Sequence, residues 1–317
     1  MTLSRRRFIT ISASAGIGLG LSAFDAQAVS WQGTALGAQA KLIIKGIPAD
    51  EATLLISAAR AEIERLENIF SLYRNHSVLC RLNAEAAYRH PPHELLELLT
   101  IVQSVHAATS GRFDPTIQSL WQAYADHRGH PPETVLTDAL SRVSWENVEI
   151  DTPIVRYGLP GMQMTLNGIA QGYVTDRVAA LLRSAGLVNA IVSVGETLAL
   201  GEKSMGEPWK IGIADKSDAP AQEIVKVTNQ AVATSAMLGT TFDNGTIGHI
   251  LDPKTGMPKS VGWKRISVLN PSAAIADALS TAFTLMEPEE ISDSLQTYPG
   301  TMVIAQNQDN LTSRWSV

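Results

Sequence analysis

From about residue 145 onward, short segments with the pattern of β-strands dominate the sequence, and only two helical segments interrupt them. The predicted strands are QMTL, NAIVSVG, TLALG, WKIGIA, EIVKVT, GHIL, RISVL and TMVIA. The helices are GYVTDRVAALLRSAG, which ends at Gly186, and SAAIADALSTAFTLM, which follows Pro271 and Ser272. Strands grouped around a few helices, without strict βα alternation, are typical of an α+β protein with mixed or antiparallel sheets.

The first half of the sequence is more helical. After a strand at about 39–45, residues 50–70 have the spacing of an amphipathic helix capped by Asp50. Its predicted buried face consists of Leu54, Ala58, Ile63, Leu66 and Ile69. A second helix begins in PHELLELL and ends at Gly111, whereas 125–140 is predicted to be a surface loop. With 317 residues, 45% of them hydrophobic, the chain suits one large domain, which we assign to 29–317.

The N-terminal segment SRRRFITISASAGIGLGLSAFDAQAVS has the features of an export signal. Arg5 and Arg6 precede a mildly apolar stretch rich in Gly, Ala and Ser, and Ala26-Gln27-Ala28 resembles a cleavage site. The paired arginines, followed by Phe8, indicate the twin-arginine route, so we predict a signal peptide over 1–28 and a periplasmic protein. A basic, disordered tail is the alternative interpretation.

The charge and the cysteine count exclude several classes of protein. A net charge of −6 gives no electrostatic reason to bind nucleic acid or an anionic membrane. Beyond the N-terminus no apolar run is long enough for a typical spanning helix, so we predict no stable membrane insertion of the mature chain. Cys80 is the single cysteine, so no internal disulfide can form, and its apolar surroundings favour a buried side chain over a nucleophile.

The segment IADALSTAF places a carboxylate and a hydroxyl on one face of a predicted helix. Asp277 and Thr281 are four residues apart, and Ser280 lies beside them. Carboxylate, hydroxyl and carbonyl oxygens suit a hard cation such as Mg²⁺, with phosphate oxygens and water completing its shell. A solvent-facing polar stripe is the other interpretation, although the short side chains indicate close approach of another group.

Two further segments carry polar residues at turns. Residues 167–172, NGIAQG, lead from a predicted strand into a helix, where glycines would let the backbone approach a ligand and the helix amides would favour an anion. A purely structural loop is the alternative. His249, in GHILDPKTGMP, is either a core histidine or a general base that accepts a proton from a hydroxyl.

Taken in order, these segments resemble the FAD:protein FMN transferase family, also called the ApbE family. GTALGA at 33–38 is similar to the family's G-T-x-M-G-T, and SLYRNHSVLCRLN at 71–83 to its S-x-Y…S…L-N segment. SGRFDPT at 110–116 is similar to D-G-A-F-D-x-T, and NGIAQGYVTD at 167–176 to G-G-I-A-K-G-Y-x-x-D. AVATS, GHILDPKTGMP and ADALSTA complete the set in the family's order.

The resemblance implies an activity and a metal. The family has a T-fold-like architecture and moves FMN from FAD onto a Thr or Ser hydroxyl of an acceptor protein, releasing AMP with the help of Mg²⁺. By resemblance, Asp277, Thr281 and the carbonyl of Ala170 hold the metal, with Ser280 adjacent.

The resemblance also implies a flavin site. Tyr73 would stack on the isoalloxazine ring. The FAD cleft would be lined by Leu36, Arg112, Phe113, Asp114, Asn167, Tyr173 and Leu251. His249 becomes a candidate for deprotonating the incoming hydroxyl, with orientation of the phosphate as its other role.

The sequence departs from the family pattern at several places. Gln171 replaces a Lys, Glu196 the second Gly of a G-G pair, Ala236 the Gly of T-S-G, Leu36 a Met, and Arg112 a small residue. None is at Asp277, Thr281 or His249, so activity is expected. LNGIAQGY and DALSTA, together with export, resemble the branch that serves nitrous-oxide respiration, whose acceptor is a membrane-bound electron-transfer protein. An Mg²⁺-dependent FAD pyrophosphatase and a non-catalytic flavin-binding assembly protein are the competing functions.

Overall fold

The computed structural model describes residues 28–214, 220–243, 245–259 and 262–317. The predicted signal peptide therefore lies outside the described residues, apart from Ala28, and both it and the single domain at 29–317 stay predictions. Within the described ranges, no helix combines the length and apolar character needed to cross a bilayer.

The described residues form thirteen β-strands and eight α-helices. The strands are β1 Val29–Ala35, β2 Ala38–Ile44, β3 Ala87–Arg89, β4 Val148–Asp151, β5 Ile154–Tyr157, β6 Ala190–Val194, β7 Glu196–Leu200, β8 Trp209–Ile213, β9 Glu223–Val227, β10 Gln230–Ala236, β11 Trp263–Asn270, β12 Met302–Asn307 and β13 Thr312–Ser316. The helices are α1 Ala49–Phe70, α2 Val78–Glu85, α3 His93–Ala108, α4 Gln118–Asp126, α5 Glu133–Leu140, α6 Ala170–Ser184, α7 Ala273–Phe283 and α8 Pro288–Leu295.

A large antiparallel sheet organises the molecule. Its eight strands lie in the order β1-β2-β6-β7-β10-β11-β12-β13, and every neighbouring pair is antiparallel. A small sheet, β3-β5-β4, and the hairpin β8-β9 complete the strands. The predicted α+β class with antiparallel sheets is confirmed.

The two faces of the large sheet are covered differently. Alternate side chains point to opposite faces of a strand, so one strand contributes to two cores. Leu198 and Leu200 of β7 pack under the helices in the main core, whereas Ala199 between them belongs to a second core. The β8–β9 hairpin covers that second core with Trp209 and Ile211. The helix-covered face is the one that carries the site described below.

The first helix confirms the predicted element but not its predicted details. Leu54 is 72% exposed and Ala58 is exposed as well, because the buried stripe starts at Ala52 and continues through Ile56. The predicted Asp50 cap is wrong: Pro48 takes the cap position, with no side-chain bond. Asp50 instead lies in the first turn, where its charge favours the helix dipole.

The predicted surface loop at 125–140 is wrong, because it contains α5. Pro132 ends the preceding turn and stands directly before the helix, a position where its missing N–H is harmless. Ala139 of α5 joins Leu120 and Tyr124 of α4 in a third, smaller cluster, which also contains Phe242. This third cluster lies next to the main core. It is formed by side chains of α4 and α5 together with Phe242, Ile247 and Leu251.

Two predicted strands are absent from the ladders of the described residues. QMTL contributes only an isolated bridge between Gln163 and Ile117, and GHIL only bridges at its two ends. Both are short apolar runs, for which periodicity alone cannot establish a strand. His249 therefore lies in an irregular segment, not on a β-strand.

Candidate flavin and metal site

The site is built where α6 and α7 touch. A Cβ added to Gly172 would lie 2.2 Å from the backbone oxygen of Ala273, so only glycine allows this approach. The Gly172 N–H also donates a hydrogen bond of 3.1 Å to Oδ2 of Asp277. The glycine predicted to bring backbone close to a ligand thus brings α6 close to α7.

A second contact fixes the same pair of helices. Asp176 of α6 accepts hydrogen bonds from the Ser272 hydroxyl at 2.7 Å and from the N–H groups of Ala273 and Ala274 at 2.8 and 3.0 Å. Its carboxylate therefore caps the N-terminus of a neighbouring helix, where negative charge is favourable. Asp176 and Gly172, one turn apart, set the position of Asp277.

The predicted metal-site residues fall into two groups. Asp277 and Thr281 line a cavity, and Thr281 Oγ1 lies 3.4 Å from Oγ of Ser235 on β10. Ser280 is fully buried, its hydroxyl donating to the Asp277 carbonyl at 2.9 Å and lying 2.8 Å from Ser235 Oγ. Ala170, the first residue of α6, is also buried and does not line the cavity. The structure thus places Ser280 in the packing of α7 on β10.

The cavity brings together most of the other predicted residues. Its lining comprises Arg112, Phe113, Asp114, Pro115, Ile117, Gln118, Trp121, Thr165, Asn167, Gly168, Ser235, His249, Ile250, Leu251, Pro253, Asp277, Thr281 and Leu285, around a volume of about 120 Å³. Its walls come from the main core on one side and from the third cluster on the other. The AVATS motif contains Ser235 without indicating its role, although strand alternation places it with Ala231 and Ala233 on the helix-covered face.

His249 is oriented by one hydrogen bond. Its Nδ1 lies 3.0 Å from the Thr240 carbonyl oxygen, which can only accept. Nδ1 must therefore carry the proton, and in the neutral ring Nε2 holds a free electron pair. Burial lowers the pKa of His249 from 6.5 to about 4, so the ring is neutral at physiological pH. A neutral imidazole with Nε2 available can accept a proton, as a weaker base than a free histidine.

Arg112 and Asp114 line the cavity, and their side-chain contacts also fix the loops around it. Asp114 accepts from the Thr116 N–H and hydroxyl at 2.8 and 2.6 Å and from the Trp145 N–H at 3.2 Å. Arg112 pairs with Asp252, which connects its loop to the segment that carries His249. The Asp114 carboxylate thus accepts its hydrogen bonds from protein groups, and Arg112 places a positive charge at the cavity wall.

Three predicted flavin-site residues do not line the cavity. Leu36 and Gly37 form the tight turn between β1 and β2, both with positive φ, as in a type I′ turn. The ring of Tyr73 lies against Gly37, so Leu36 and Tyr73 are neighbours. Tyr173 is buried in the main core, where it meets Phe70 edge-on and its hydroxyl donates to Glu97 at 2.7 Å.

A buried glutamate lies beside Asp277. Glu196, at the start of β7, is 4% exposed, as is Asp277, and its Oε2 accepts the Thr234 N–H at 3.2 Å. Burial and the negative charge of Asp277 raise the pKa of Glu196 well above its ordinary value. Burial also raises the pKa of Asp277 to about 7, against the effect of the Gly172 N–H bond. In the sequence Glu196 is only a departure from the family's G-G pair, and its burial in the structure could not be predicted from that.

The oxygen donors of this region fit a hard divalent cation. Asp277 offers a carboxylate, and Thr281 and Ser235 offer hydroxyls at the cavity wall. Within the described ranges no group of three or more His, Cys, Asp or Glu side chains converges on one point. Such a sparse set suits Mg²⁺, which commonly keeps waters and takes substrate phosphates as ligands, rather than a closed protein cage.

Known proteins resemble this chain in sequence over most of its length. The FAD:protein FMN transferase of Klebsiella pneumoniae (strain 342) is 24% identical over 274 residues, which cover 81% of this chain and 78% of that protein. The protein of the same name from Treponema pallidum (strain Nichols) is 28% identical over 279 residues, covering 80% and 77%.

Solved structures resemble it in fold. The flavin transferase ApbE from Vibrio cholerae superposes with a TM-score of 0.79 at 23% identity, covering 92% of this chain and 97% of that one. The ApbE protein from Thermotoga maritima gives 0.79 at 25% identity, covering 91% and 97%. The ApbE family model matches residues 34–305, which confirms the resemblance drawn from the motifs. The chain belongs to the ApbE family.

Proposed function

We propose that this protein is a FAD:protein FMN transferase, which moves FMN from FAD to a Thr or Ser hydroxyl of an acceptor protein and releases AMP. Membership of the ApbE family and relatives that bear this name support the activity. Mg²⁺ as the cofactor, export by the twin-arginine route and a membrane-bound electron-transfer acceptor are further parts of the proposal.

One observation carries it: the Gly172–Asp277 hydrogen bond of 3.1 Å holds the NGIAQG loop against the DALSTA helix at the cavity wall. These two segments lie more than one hundred residues apart in the sequence and belong to separate motifs. Asn167 and Gly168, just before α6, line the same cavity. A pyrophosphate there would meet the N-terminal side of α6, where backbone N–H groups favour an anion.

The chemistry requires an attack on phosphorus. The acceptor hydroxyl oxygen forms a bond to the phosphorus of the FMN half, the bond from that phosphorus to the AMP oxygen breaks, and AMP leaves. His249 Nε2 takes the hydroxyl proton, because Nδ1 is occupied by its bond to Thr240. A bound Mg²⁺ would supply charge neutralisation at the pyrophosphate, held by Asp277 and Thr281. Positioning and charge should account for most of the rate.

The decisive experiment combines the purified protein with FAD, Mg²⁺ and an acceptor domain containing a candidate Thr or Ser. A covalent FMN increment on the acceptor, measured by intact mass, supports transfer. Free FMN and AMP with an unmodified acceptor would instead show hydrolysis. Bound FAD that stays unchanged would contradict both reactions and leave an assembly role.

Asp277→Asn is the first variant to examine in this assay. Removing the carboxylate charge should reduce FMN transfer by at least about a hundredfold, since the metal loses its charged ligand. Asp151→Asn, on an exposed strand end of the small sheet, is the matched control and should transfer at the wild-type rate. Mg²⁺-dependent transfer of normal rate by Asp277→Asn would refute the metal assignment.

A further inference from the structure

We propose that Glu67 is a positioning residue for the flavin, because its carboxylate joins the β1–β2 turn to the loop that follows α1. The inference rests on the proposed function, in which the isoalloxazine ring would stack on Tyr73, and deepens it by identifying what orients the stacking residue. Glu67 lies near the end of α1, in none of the family motifs described above. It acts through Leu36 and Tyr73 and not by contact with the flavin.

The two oxygens of the Glu67 carboxylate bind different segments of the chain. Oε1 accepts a hydrogen bond of 2.8 Å from the N–H of Leu36, which lies 31 positions earlier in the sequence. Oε2 accepts a hydrogen bond of 2.6 Å from Nη2 of Arg74, the residue after Tyr73. The Glu67 side chain is only 13% exposed, and hydrogen bonds shielded from water are electrostatically stronger. One carboxylate thus connects the turn that carries Leu36 with the loop that carries Tyr73.

The β1–β2 turn holds Leu36 in an unfavourable backbone conformation. Leu36 has a φ of +48°, in the left-handed region that a bulky side chain rarely adopts, and Gly37 follows at +78°. The strand ladder ends at the Ala35–Ala38 pair, so the Leu36 N–H lies beyond it and needs another acceptor, which Glu67 supplies. Such conformations persist where the surroundings fix them, and they concentrate at ligand sites.

The same turn packs against the ring of Tyr73. A Cβ built on Gly37 would lie 3.1 Å from Cε2 of that ring and 3.7 Å from its hydroxyl oxygen. The Tyr73 N–H donates a hydrogen bond of 3.0 Å to the Ser71 hydroxyl, and the next residue, Arg74, is bound by Glu67. The turn therefore holds one edge of the ring and the loop holds its backbone, and Glu67 fixes both against α1. A side chain that is already oriented loses less conformational entropy when a flavin stacks on it, which favours binding.

Arg74 does not need Glu67 to compensate its charge. Its Nη2 also donates to Oε2 of Glu64 at 2.9 Å, and its Nη1 donates to Asn68 at 2.9 Å. The Glu64 side chain is 62% exposed, and among the described residues Arg74 is its hydrogen-bond partner. Replacing either glutamate therefore removes one salt bridge of Arg74, but only replacing Glu67 releases the Leu36 N–H. Glu64 is thus a matched control for Glu67.

Titration of the protein with FAD in the presence of Mg²⁺, without an acceptor, tests this role. Glu67→Ala should bind FAD at least about tenfold more weakly than the wild type, and its bound flavin should fluoresce more strongly because the ring is stacked less well. Glu64→Ala should bind FAD like the wild type. Glu67→Gln retains an oxygen that can accept the Leu36 N–H, so its affinity should stay within about threefold of the wild type. Equal affinity of Glu67→Ala and Glu64→Ala, or a Glu67→Gln variant as weak as Glu67→Ala, would overturn the inference.

A double-variant cycle with Tyr73→Ala separates positioning from general destabilisation. If Glu67 acts through the ring, adding Glu67→Ala to Tyr73→Ala should weaken FAD binding by about threefold at most. An undiminished loss in that background would make Glu67 a structural residue and overturn the inference.

The same titrations distinguish failure of this inference from failure of the proposed function. FAD binding does not require FMN transfer, so the expected losses of affinity support the role of Glu67 even if no acceptor is modified. If Tyr73→Ala weakens FAD binding and Glu67→Ala does not, the inference fails while the flavin site of the proposed function stands. If Tyr73→Ala itself binds FAD like the wild type, both fail.

Discussion

A single hydrogen bond decides which nitrogen of His249 can act as a base. The Thr240 carbonyl holds the proton on Nδ1, so Nε2 is the atom available at the cavity. His249→Asn keeps an N–H donor near the position of Nδ1 but has no basic nitrogen. We expect FAD to bind this variant normally while FMN transfer falls by about a hundred- to ten-thousandfold. His249→Ala, which also loses the donor, is the comparison, and full transfer by the Asn variant would return His249 to a structural role.

The pKa of His249 also predicts a pH dependence of stability. Burial lowers the pKa to about 4, whereas the unfolded chain titrates near 6.5. Between these values the unfolded chain binds more protons, so the free energy of unfolding rises with pH and its gain is complete above 6.5. The gain is about 3 kcal/mol at most, because the side chain is only half-buried. Urea unfolding across this range should show the slope in the wild type and lose it in His249→Asn; equal slopes would contradict the shift.

Among the elements, the contact of α6 with α7 is the one on which the site depends. Gly172→Ala would push a methyl group into the Ala273 carbonyl, so the helices must separate. We expect a loss of about 1–3 kcal/mol in the free energy of unfolding, together with slower Mg²⁺-dependent FMN transfer, because the Gly172–Asp277 bond breaks.

A matched glycine separates the effect of space from that of backbone strain. Gly186, just beyond the C-terminal end of α6, has a φ of +82° and nothing within 4 Å of an added Cβ. Gly186→Ala should cost about 1 kcal/mol from strain alone and leave the rate of FMN transfer unchanged. If Gly172→Ala transferred FMN at the wild-type rate, the helix contact would not position the site.

The Asp176 cap gives a second prediction at this scale. Asp176→Ala removes three hydrogen bonds to the start of α7 and should lower the free energy of unfolding by about 1–3 kcal/mol. Ser272→Ala removes two bonds, the one of 3.3 Å from the Ile275 N–H to the Ser272 hydroxyl and the one of 2.7 Å from that hydroxyl to Asp176, but leaves the Asp176 bonds to the Ala273 and Ala274 N–H groups, and should cost less. Chemical denaturation of the two variants measures the difference, and a larger loss for Ser272→Ala would show that Asp176 is not the main cap.

For the molecule as a whole, the sequence predicted what depends on local pattern. β11 and β12 read as strands and α6 and α7 as helices, because their apolar spacing, caps and glycine stops agree with their final environment. The motifs named several residues that line the cavity, including Asn167 and Leu251, but also Leu36, Tyr73 and Tyr173, which do not.

What the sequence could not predict depends on contacts between distant segments. In the sequence Glu196 is a polar residue at a turn, whereas in the structure it is buried and accepts a hydrogen bond from the Thr234 N–H of β10. Gly172 is explained by Ala273, about one hundred positions later in the chain. The sequence predicts a strand at His249, although only isolated bridges flank it, because a short apolar run does not reveal whether a partner strand exists.

The third cluster gives the cavity a wall that is separate from the main core, and this division predicts how FAD affinity depends on packing. Phe242 joins α4 to the His249 segment, with its ring 5.2 Å from that of Trp121 and 5.5 Å from that of Tyr124. Trp121 lines the cavity. Phe242→Ala should leave a void, let α4 shift and weaken FAD binding by at least about tenfold, measured by quenching of flavin fluorescence with Mg²⁺ present.

Trp315 is the matched control for this prediction. It also lies in an aromatic pair, 5.6 Å from Trp263, but it packs on the main core at the β13 edge and does not line the cavity. Trp315→Ala should lower the melting temperature without changing FAD affinity, whereas Phe242→Ala should change affinity more than melting. The contrast follows from which cluster each ring supports, since the main core holds the sheet and α6–α7 together, and the third cluster holds the opposite wall of the cavity. Equal losses of affinity in the two variants would show that the wall and the core respond as one unit.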